Sequence, residues 1–168
     1  LKADYEERGI GGRIADELSV KAASALDEAA DVAGESKGII AGTIGLLAVA
    51  LLKLRGARNV IVSDATDFRL ETARKMQADH TINSREVDFV DAVKTITQGK
   101  MCDFAIEAVG ISQTAANSLD CLRIGGTVVW IGNAQKMVEV NMQKIVTTEL
   151  TIKGNYVYDF AGFRESLR

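Results

Sequence analysis

Short β-branched stretches alternate with helix-forming stretches from residue 36 to residue 168. Residues 60–64 are typical of the strands, and residues 44–55, which Gly56 ends in the manner of a C-cap glycine, are typical of the helices. The strands are continuous apolar runs, as expected where helices cover both faces of a sheet. The alternation therefore predicts an α/β fold, a doubly wound parallel sheet.

The same alternation gives bounds for the remaining elements. We predict further strands at residues 38–41, 81–82, 102–109, 127–131 and 150–153, and an extended segment at 138–140. We predict further helices at residues 68–76, 112–122, 141–147 and 163–168, with Asn141 as the cap of the third of these. Another helix is predicted to begin after a capping Ser84 and to carry Val87, Val90, Val93 and Ile96 on one face.

The first 33 residues follow a different pattern. Ile14, Leu18, Ala22, Leu26 and Ala30 recur at every fourth position, which is typical of one amphipathic helix. We therefore divide the chain into an N-terminal helical appendage at 1–33 and an α/β domain at 34–168.

Composition excludes several classes of function. The net charge of −3 leaves no basic excess for a nucleic acid, and the longest apolar run, residues 44–52, is too short to span a bilayer, so we expect neither nucleic acid nor membrane as a partner. Cys102 and Cys121 are too few for a disulfide framework. Because residues 1–8 are charged and contain no apolar run, we expect no leader segment and a cytoplasmic protein.

A glycine-containing turn follows the first predicted strand. Gly42 and Gly45 occupy the second and third positions of the GxGxxG pattern, while Ile40 stands at the first, where a glycine makes the tight turn. Glycines here let the backbone approach a pyrophosphate, whose charge the helix N-terminus favours. The turn therefore indicates a dinucleotide site, with a generic strand-to-helix turn as the alternative.

An acidic residue ends the second predicted strand. Asp64 follows Gly45 by nineteen residues, where a carboxylate hydrogen-bonds the adenosine ribose of a dinucleotide. Because a carboxylate repels a 2′-phosphate, we expect NAD and not NADP as the cofactor. Arg69 on the next helix is placed to lie beside the adenine. The alternatives are a helix-capping aspartate and a surface arginine.

These segments together resemble the coenzyme domain of the medium-chain dehydrogenase/reductase family, in particular its zinc-dependent alcohol and polyol branch, which includes sorbitol and galactitol-phosphate dehydrogenases. The resemblance is carried by residues 41–76, by DFAIEAVG at 103–110, by LRIGGTVVWIG at 122–132 and by residues 142–158. It implies a Rossmann fold that binds NAD(H) and positions the nicotinamide for hydride transfer. In this family the catalytic zinc lies on a separate domain.

The resemblance also implies which residues bind the cofactor. Gly42, Thr43, Ile44 and Gly45 would contact the pyrophosphate, and Asp64 and Arg69 the adenosine. The remaining contacts would follow two later strands, at Ala108, Val109 and Gly110 and, toward the nicotinamide, at Ile131, Gly132 and Asn133. The chain departs from the family at Ile40, which replaces the first glycine of the turn, and at Gln77, where the family has a glycine that closes a helix.

We assign no catalytic residue and no metal ligand. Zinc catalysis needs three protein ligands and an open position, whereas Cys102, Cys121 and His80 fall on different predicted elements without ligand spacing. We therefore expect this chain, without the catalytic zinc domain, to be inactive alone. Glu107 and Asp103 share one face of a strand, and we expect Asp103 to be solvated.

Other functions stay open. The chain could be a non-catalytic NAD-binding or dimerisation module, excised or engineered, or a structural unit whose nucleotide loop Ile40 has closed. A methyltransferase-like domain would also carry an acidic residue after its second strand. We further expect a homodimer through an edge region formed by residues 129–131 and 138–140.

Overall fold

The computed structural model describes residues 37–40 and 43–156. In that part six strands form one sheet in the order β3-β2-β1-β4-β5-β6, and every neighbouring pair is parallel. The strands are β1 Lys37–Ile40, β2 Val60–Asp64, β3 His80–Asn83, β4 Cys102–Glu107, β5 Leu122–Trp130 and β6 Thr151–Gly154. The helices are α1 Thr43–Leu54, α2 Asp67–Lys75, α3 Phe89–Ile96, α4 Ser112–Asp120 and α5 Met142–Thr147. The predicted doubly wound parallel sheet is confirmed.

Apolar side chains fill both faces of the sheet. One face packs under α1 and α2 through buried strand residues, among them Ile39, Val60, Val62, Phe104 and Ile106. The other packs under α3 and α4 through Ile61, Ala105, Leu122 and Val128. Neighbouring strand positions alternate between the two clusters, as the two-residue side-chain period requires. The strands therefore read as continuous apolar runs.

The predicted start of α3 at Ser84 is wrong. The helix begins at Phe89, because the Asp88 side chain accepts a hydrogen bond from the Asp91 N–H at 2.9 Å and caps it there. The preceding residues form a turn closed by hydrogen bonds to the Asn83 carbonyl. Val87, which the helical pattern included, lies outside the helix and is 51% exposed.

The predicted edge region is also wrong. β5 pairs with β4 on one side and with β6 on the other, so Val129 is buried in an interior strand. Residues 138–140 form no strand, and within the described residues the edge next to β5 is β6. β5 also starts earlier than predicted, at Leu122. Periodicity indicates a strand but does not order the strands in the sheet.

The other described elements lie within two residues of their predicted bounds, and Asn141 caps α5 by accepting from the Lys144 N–H at 3.0 Å. The predicted helices at 1–33 and 163–168 lie outside the described residues. Within the described ranges, every helix is too short or too polar to cross a bilayer.

Candidate functional site

A cavity of about 440 Å³ opens where the strand order reverses, between β1 and β4. Ligands of open α/β sheets bind at such a switch point, beyond the carboxyl ends of the strands. The cavity is lined by Ile40, Ser63, Asp64, Ala65, Arg69, Ser84, Val87, Asp88, Phe89, Val109, Ile111, Gln113, Thr114 and Asn117. Its wall therefore mixes apolar side chains with a few polar groups, as small-molecule sites do.

Asp64 is the acidic group that the end of β2 contributes to this cavity. Its side chain is only 3% exposed, and one carboxylate oxygen accepts a hydrogen bond from the Thr66 N–H at 2.8 Å. The other oxygen lies 3.4 Å from Nη1 of Arg69, whose own side chain is half exposed. A carboxylate has about four acceptor positions, so Asp64 keeps acceptor capacity for hydroxyl groups in the cavity.

The turns that follow β4 and β5 meet backbone to backbone at Gly110 and Gly132, which we name the glycine crossing. A Cβ on Gly110 would lie 2.2 Å from the Asn133 nitrogen, and one on Gly132 would lie 2.3 Å from the Gly110 nitrogen. Gly110 also has φ +84°, which L side chains rarely adopt. Only glycine fits at either position, and the family resemblance implied both among the site residues.

Backbone hydrogen bonds hold the two turns together. The Gly110 carbonyl accepts from the Gln135 N–H at 2.8 Å, and the Val109 carbonyl accepts from the Ala134 N–H at 3.4 Å. The Ala108 N–H donates to the Ile40 carbonyl at 3.2 Å and so ties this region to β1. Main-chain hydrogen bonds therefore join the ends of β1, β4 and β5 into one region, the rim, which reaches the cavity wall at Ile40 and Val109.

The other predicted site residues fall in two places. Ile131 is buried and Asn133 is exposed in the turn after β5. Thr43, Ile44 and Gly45 form the first turn of α1, while Gly42 lies outside the described residues. Ile40, which stands where the family has a glycine, ends β1 with a buried side chain that lines the cavity.

Two groups were missed by the sequence pattern or interpreted wrongly. Asp103 is not solvated: its side chain is 13% exposed and accepts a hydrogen bond from Nε of Arg123 at 2.6 Å. Glu107 is buried, and its carboxylate accepts the N–H groups of Val109 and Gly110. The sequence signal for Glu107 was a charged residue inside an apolar strand, which indicates a partner without naming it.

The thiols and the histidine lie away from the cavity lining. Cys102 and Cys121 are free and buried, and their mutual hydrogen bond together with burial raises the pKa of Cys121 well above its ordinary range. His80 is exposed at the start of the edge strand β3. Among the residues that the structure describes, no three His, Cys, Asp or Glu side chains cluster so as to hold a metal ion.

The described residues fit a dinucleotide. Asp64 offers an acceptor for ribose hydroxyls at one part of the cavity, and Val109 and Ile111 offer apolar wall beside it. The missing side chains at the glycine crossing let the turns after β4 and β5 pack backbone to backbone next to Val109, which lines the cavity. The acceptor and the apolar wall therefore match the sugar and ring contacts of a nucleotide.

Known proteins are similar to this chain in sequence. The family model described as zinc-binding dehydrogenase matches residues 43–168. Sorbitol dehydrogenase of Bacillus subtilis (strain 168) is 38% identical over 118 residues, which are 70% of this chain and 33% of that protein. An alcohol dehydrogenase of Cupriavidus necator strain H16 is 44% identical over 100 residues, which are 59% of this chain and 27% of that protein.

Solved structures agree. A zinc-binding dehydrogenase from Sinorhizobium meliloti 1021 bound to NADP superposes with a TM-score of 0.77 at 28% identity, covering 90% of this chain and 46% of that one. The chain spans about a third of the length of the curated relatives it matches. Because the family model covers most of the chain, the protein belongs to the zinc-binding dehydrogenase family, where it corresponds to the coenzyme-binding domain of medium-chain dehydrogenases/reductases.

Proposed function

We propose that this domain binds NAD(H) and positions the nicotinamide for hydride transfer to or from an alcohol or polyol, with catalytic zinc held by another domain. The observation that carries the proposal is the Asp64 carboxylate at the end of β2, set into the wall of the switch-point cavity. The names of the relatives, sorbitol dehydrogenase and alcohol dehydrogenase, support the substrate class.

In this proposal the chain's residues bind and orient. Asp64 accepts hydrogen bonds from the adenosine ribose, with Arg69 beside the adenine. The turn from Gly42 through Thr43 and Ile44 to Gly45 receives the pyrophosphate at the N-terminus of α1, where the helix dipole favours negative charge. The bound cofactor supplies the hydride acceptor or donor.

The rim of the cavity completes the proposed cleft. Val109 supplies apolar wall, and Ala108 and Gly110 supply backbone beside it. Ile131, Gly132 and Asn133 approach the nicotinamide from the turn after β5. This division assigns the side-chain hydrogen bonds mainly to the adenosine. The main chain of the turns after β4 and β5 supplies packing surface, because the N–H and carbonyl groups of Val109 and Gly110 already have partners inside the protein.

We infer a preference for NAD(H) over NADP(H). The Asp64 side chain is almost fully buried, whereas Arg69 is half exposed and lies 3.4 Å from it. The positive charge of Arg69 therefore offsets only part of the repulsion between the Asp64 carboxylate and a 2′-phosphate. The NADP in the Sinorhizobium meliloti structure shows that a family member can accept the phosphate. The preference is therefore the part of the proposal that a binding experiment must decide.

A second candidate function is a non-catalytic NAD-binding or dimerisation module. β6, the edge next to β5 among the described strands, supports pairing between two copies, which sedimentation at high micromolar concentration would detect. Two free buried thiols fit a reducing compartment, and we propose the cytoplasm.

Calorimetric titration with NADH and with NADPH tests the proposal. We expect the unaltered chain to bind NADH about tenfold or more tightly than NADPH, a difference of about 1.4 kcal/mol. Asp64→Ala should weaken NADH and abolish the discrimination, while Asp64→Asn, which keeps a hydrogen-bond acceptor without charge, should abolish the discrimination and keep more of the affinity.

Glu71→Gln is the matched control. Glu71 is an exposed carboxylate on α2 that pairs with Lys75 at 3.1 Å and does not line the cavity. Its loss should leave both affinities unchanged. If neither nucleotide binds the unaltered chain at millimolar concentration, the proposed function is wrong, and a loop closed by Ile40 becomes the better account.

A further inference from the structure

Glu107 is a buried charged residue that the proposed function has not yet used. It ends β4 and is 1% exposed. One carboxylate oxygen accepts two hydrogen bonds, from the Val109 N–H at 2.9 Å and from the Gly110 N–H at 2.8 Å. Hydrogen bonds to an ionised acceptor are stronger than neutral ones, which offsets the cost of burying this side chain.

The main chain of the same residue reaches the second turn. The Glu107 carbonyl accepts from the Ile131 N–H at 2.8 Å and from the Gly132 N–H at 3.1 Å. Glu107 therefore receives two N–H groups from each side of the glycine crossing. Through these four bonds one residue links the turn after β4 to the turn after β5.

The glycine crossing needs such a link, because glycine has the largest backbone freedom of any residue. The carbonyls of Val109 and Gly110 are already held by the backbone N–H groups of Ala134 and Gln135. The Glu107 carboxylate holds the N–H groups of the same two residues. Both ends of each residue are thus fixed, and Val109 lines the cavity directly.

We infer that Glu107 is a positioning residue for the cofactor: its carboxylate fixes Val109 and Gly110 in the orientation that the cleft requires. The inference rests on the proposed function. The carboxylate acts through the backbone and not on the reacting atoms, because the described bonds of its side chain point back into its own turn.

Two substitutions of Glu107 test this inference, and the hydrogen bonds of its carboxylate predict their effects. Glu107→Gln keeps an oxygen that can accept both N–H groups but loses the charge that strengthens the bonds. Glu107→Ala leaves two N–H groups near the cavity rim without that acceptor. We expect NADH to bind about threefold more weakly to the first variant and at least about tenfold more weakly to the second.

Ser118→Ala is the matched control for lost stability. Ser118 is fully buried, accepts from Nε1 of Trp130 at 3.0 Å and donates to the Ala115 carbonyl at 2.7 Å, yet does not line the cavity. The dissociation constant for NADH is measured by calorimetry well below the unfolding temperature of each variant. Ser118→Ala should unfold at lower temperature and bind NADH as the unaltered chain does.

Amide hydrogen exchange gives a second readout that needs no cofactor. In Glu107→Gln we expect the Val109 and Gly110 amides to exchange at least about tenfold faster, with Val128 in β5 unchanged. Glu107 variants that lose stability but keep both the NADH affinity and the slow exchange would overturn the inference while the proposed function stands. An unaltered chain that binds no NADH would overturn both.

Discussion

Asp64 and the glycine crossing belong to the same proposed cofactor site but are built from different chemical groups. Asp64 presents a side chain whose carboxylate has acceptor positions to spare. The crossing presents only main chain, and the carbonyls and N–H groups of Gly110 and Val109 already have partners inside the protein. One region can therefore change its ligand chemistry by substitution, whereas the other cannot change without moving the backbone.

This difference separates the residue that determines nucleotide specificity from the residues that hold the strand ends together. Replacing Asp64 alters the charge in the cavity and leaves the contacts of β1, β4 and β5 in place. Replacing a residue of the crossing separates the turns that join those strands at their carboxyl ends. We therefore expect substitutions at Asp64 to change which nucleotide binds, and substitutions at the crossing to change whether the rim forms.

The largest expected effect is that of Gly110→Ala. The new Cβ would lie 2.2 Å from the Asn133 nitrogen and 2.4 Å from the Gly132 carbonyl carbon, at a residue with φ +84°. Strain and overpacking together should lower the free energy of unfolding by about 3 kcal/mol or more. Urea denaturation followed by circular dichroism measures the loss.

Gly154→Ala is the control for this substitution. A Cβ on Gly154, at the end of the edge strand β6, meets no atom within 4 Å, so the free energy of unfolding should change by less than about 0.5 kcal/mol. If Gly110→Ala is as stable as Gly154→Ala, the two turns can separate cheaply, and the distinction between side-chain and backbone regions fails.

The opposite ends of the strands provide a reference region without a role in the site. There Asp79 accepts hydrogen bonds from Nζ of Lys53 at 2.8 Å and from the Val60 N–H at 2.7 Å. Partial burial raises the pKa of Asp79, but the Lys53 and Val60 hydrogen bonds and the nearby positive charge outweigh burial and hold that pKa below its ordinary value.

Asp79→Ala should therefore destabilise in a pH-dependent way. The Asp79 side chain is 36% exposed, so we expect a loss of only about 0.5–1 kcal/mol at pH 7. A lowered folded-state pKa gives stability that is present above the unfolded value and is lost as pH falls through the folded value, so the difference should shrink below about pH 4. Urea titrations from pH 7 to pH 3 measure it, and NADH affinity should not change. A loss that grows toward pH 3 would contradict the ion pair.

The sequence predicted well what depends on local pattern. The β-branched residues of β2 and the apolar strands of β4 and β5 follow from side-chain period and burial on both faces. Asp64 was singled out because its position at a strand end and its distance from Gly45 are properties of the chain itself. Gly110 and Gly132 were found through the family resemblance, before any contact between them was known.

What the sequence did not predict depends on contacts between distant segments. Val129 belongs to a short β-branched run whether its strand lies at the edge or inside, so the order of strands was not readable. The partners of Glu107 and of Asp103 come from backbone geometry and from another strand. Val87 fits the helical period, which predicts an earlier start for α3. The hydrogen bond from the Asp91 N–H to the Asp88 side chain sets the start of the helix after Asp88 instead.

At Gln77 the family resemblance predicted a backbone conformation with positive φ, and substitution there has the smallest expected effect on the free energy of unfolding. The family has a glycine there, and Gln77 has φ +67° just after α2, a conformation that costs an L residue about 1 kcal/mol. Gln77→Gly should therefore raise the free energy of unfolding by about 0.5 kcal/mol, since part of the gain is offset by the larger freedom of glycine in the unfolded chain. Because Gln77 lies near Asp79, at the end of the sheet opposite the site, NADH affinity should stay the same. Urea denaturation measures the change in the free energy of unfolding. If Gln77→Gly lowers that free energy, the Gln77 side chain contributes more to stability than its backbone strain costs.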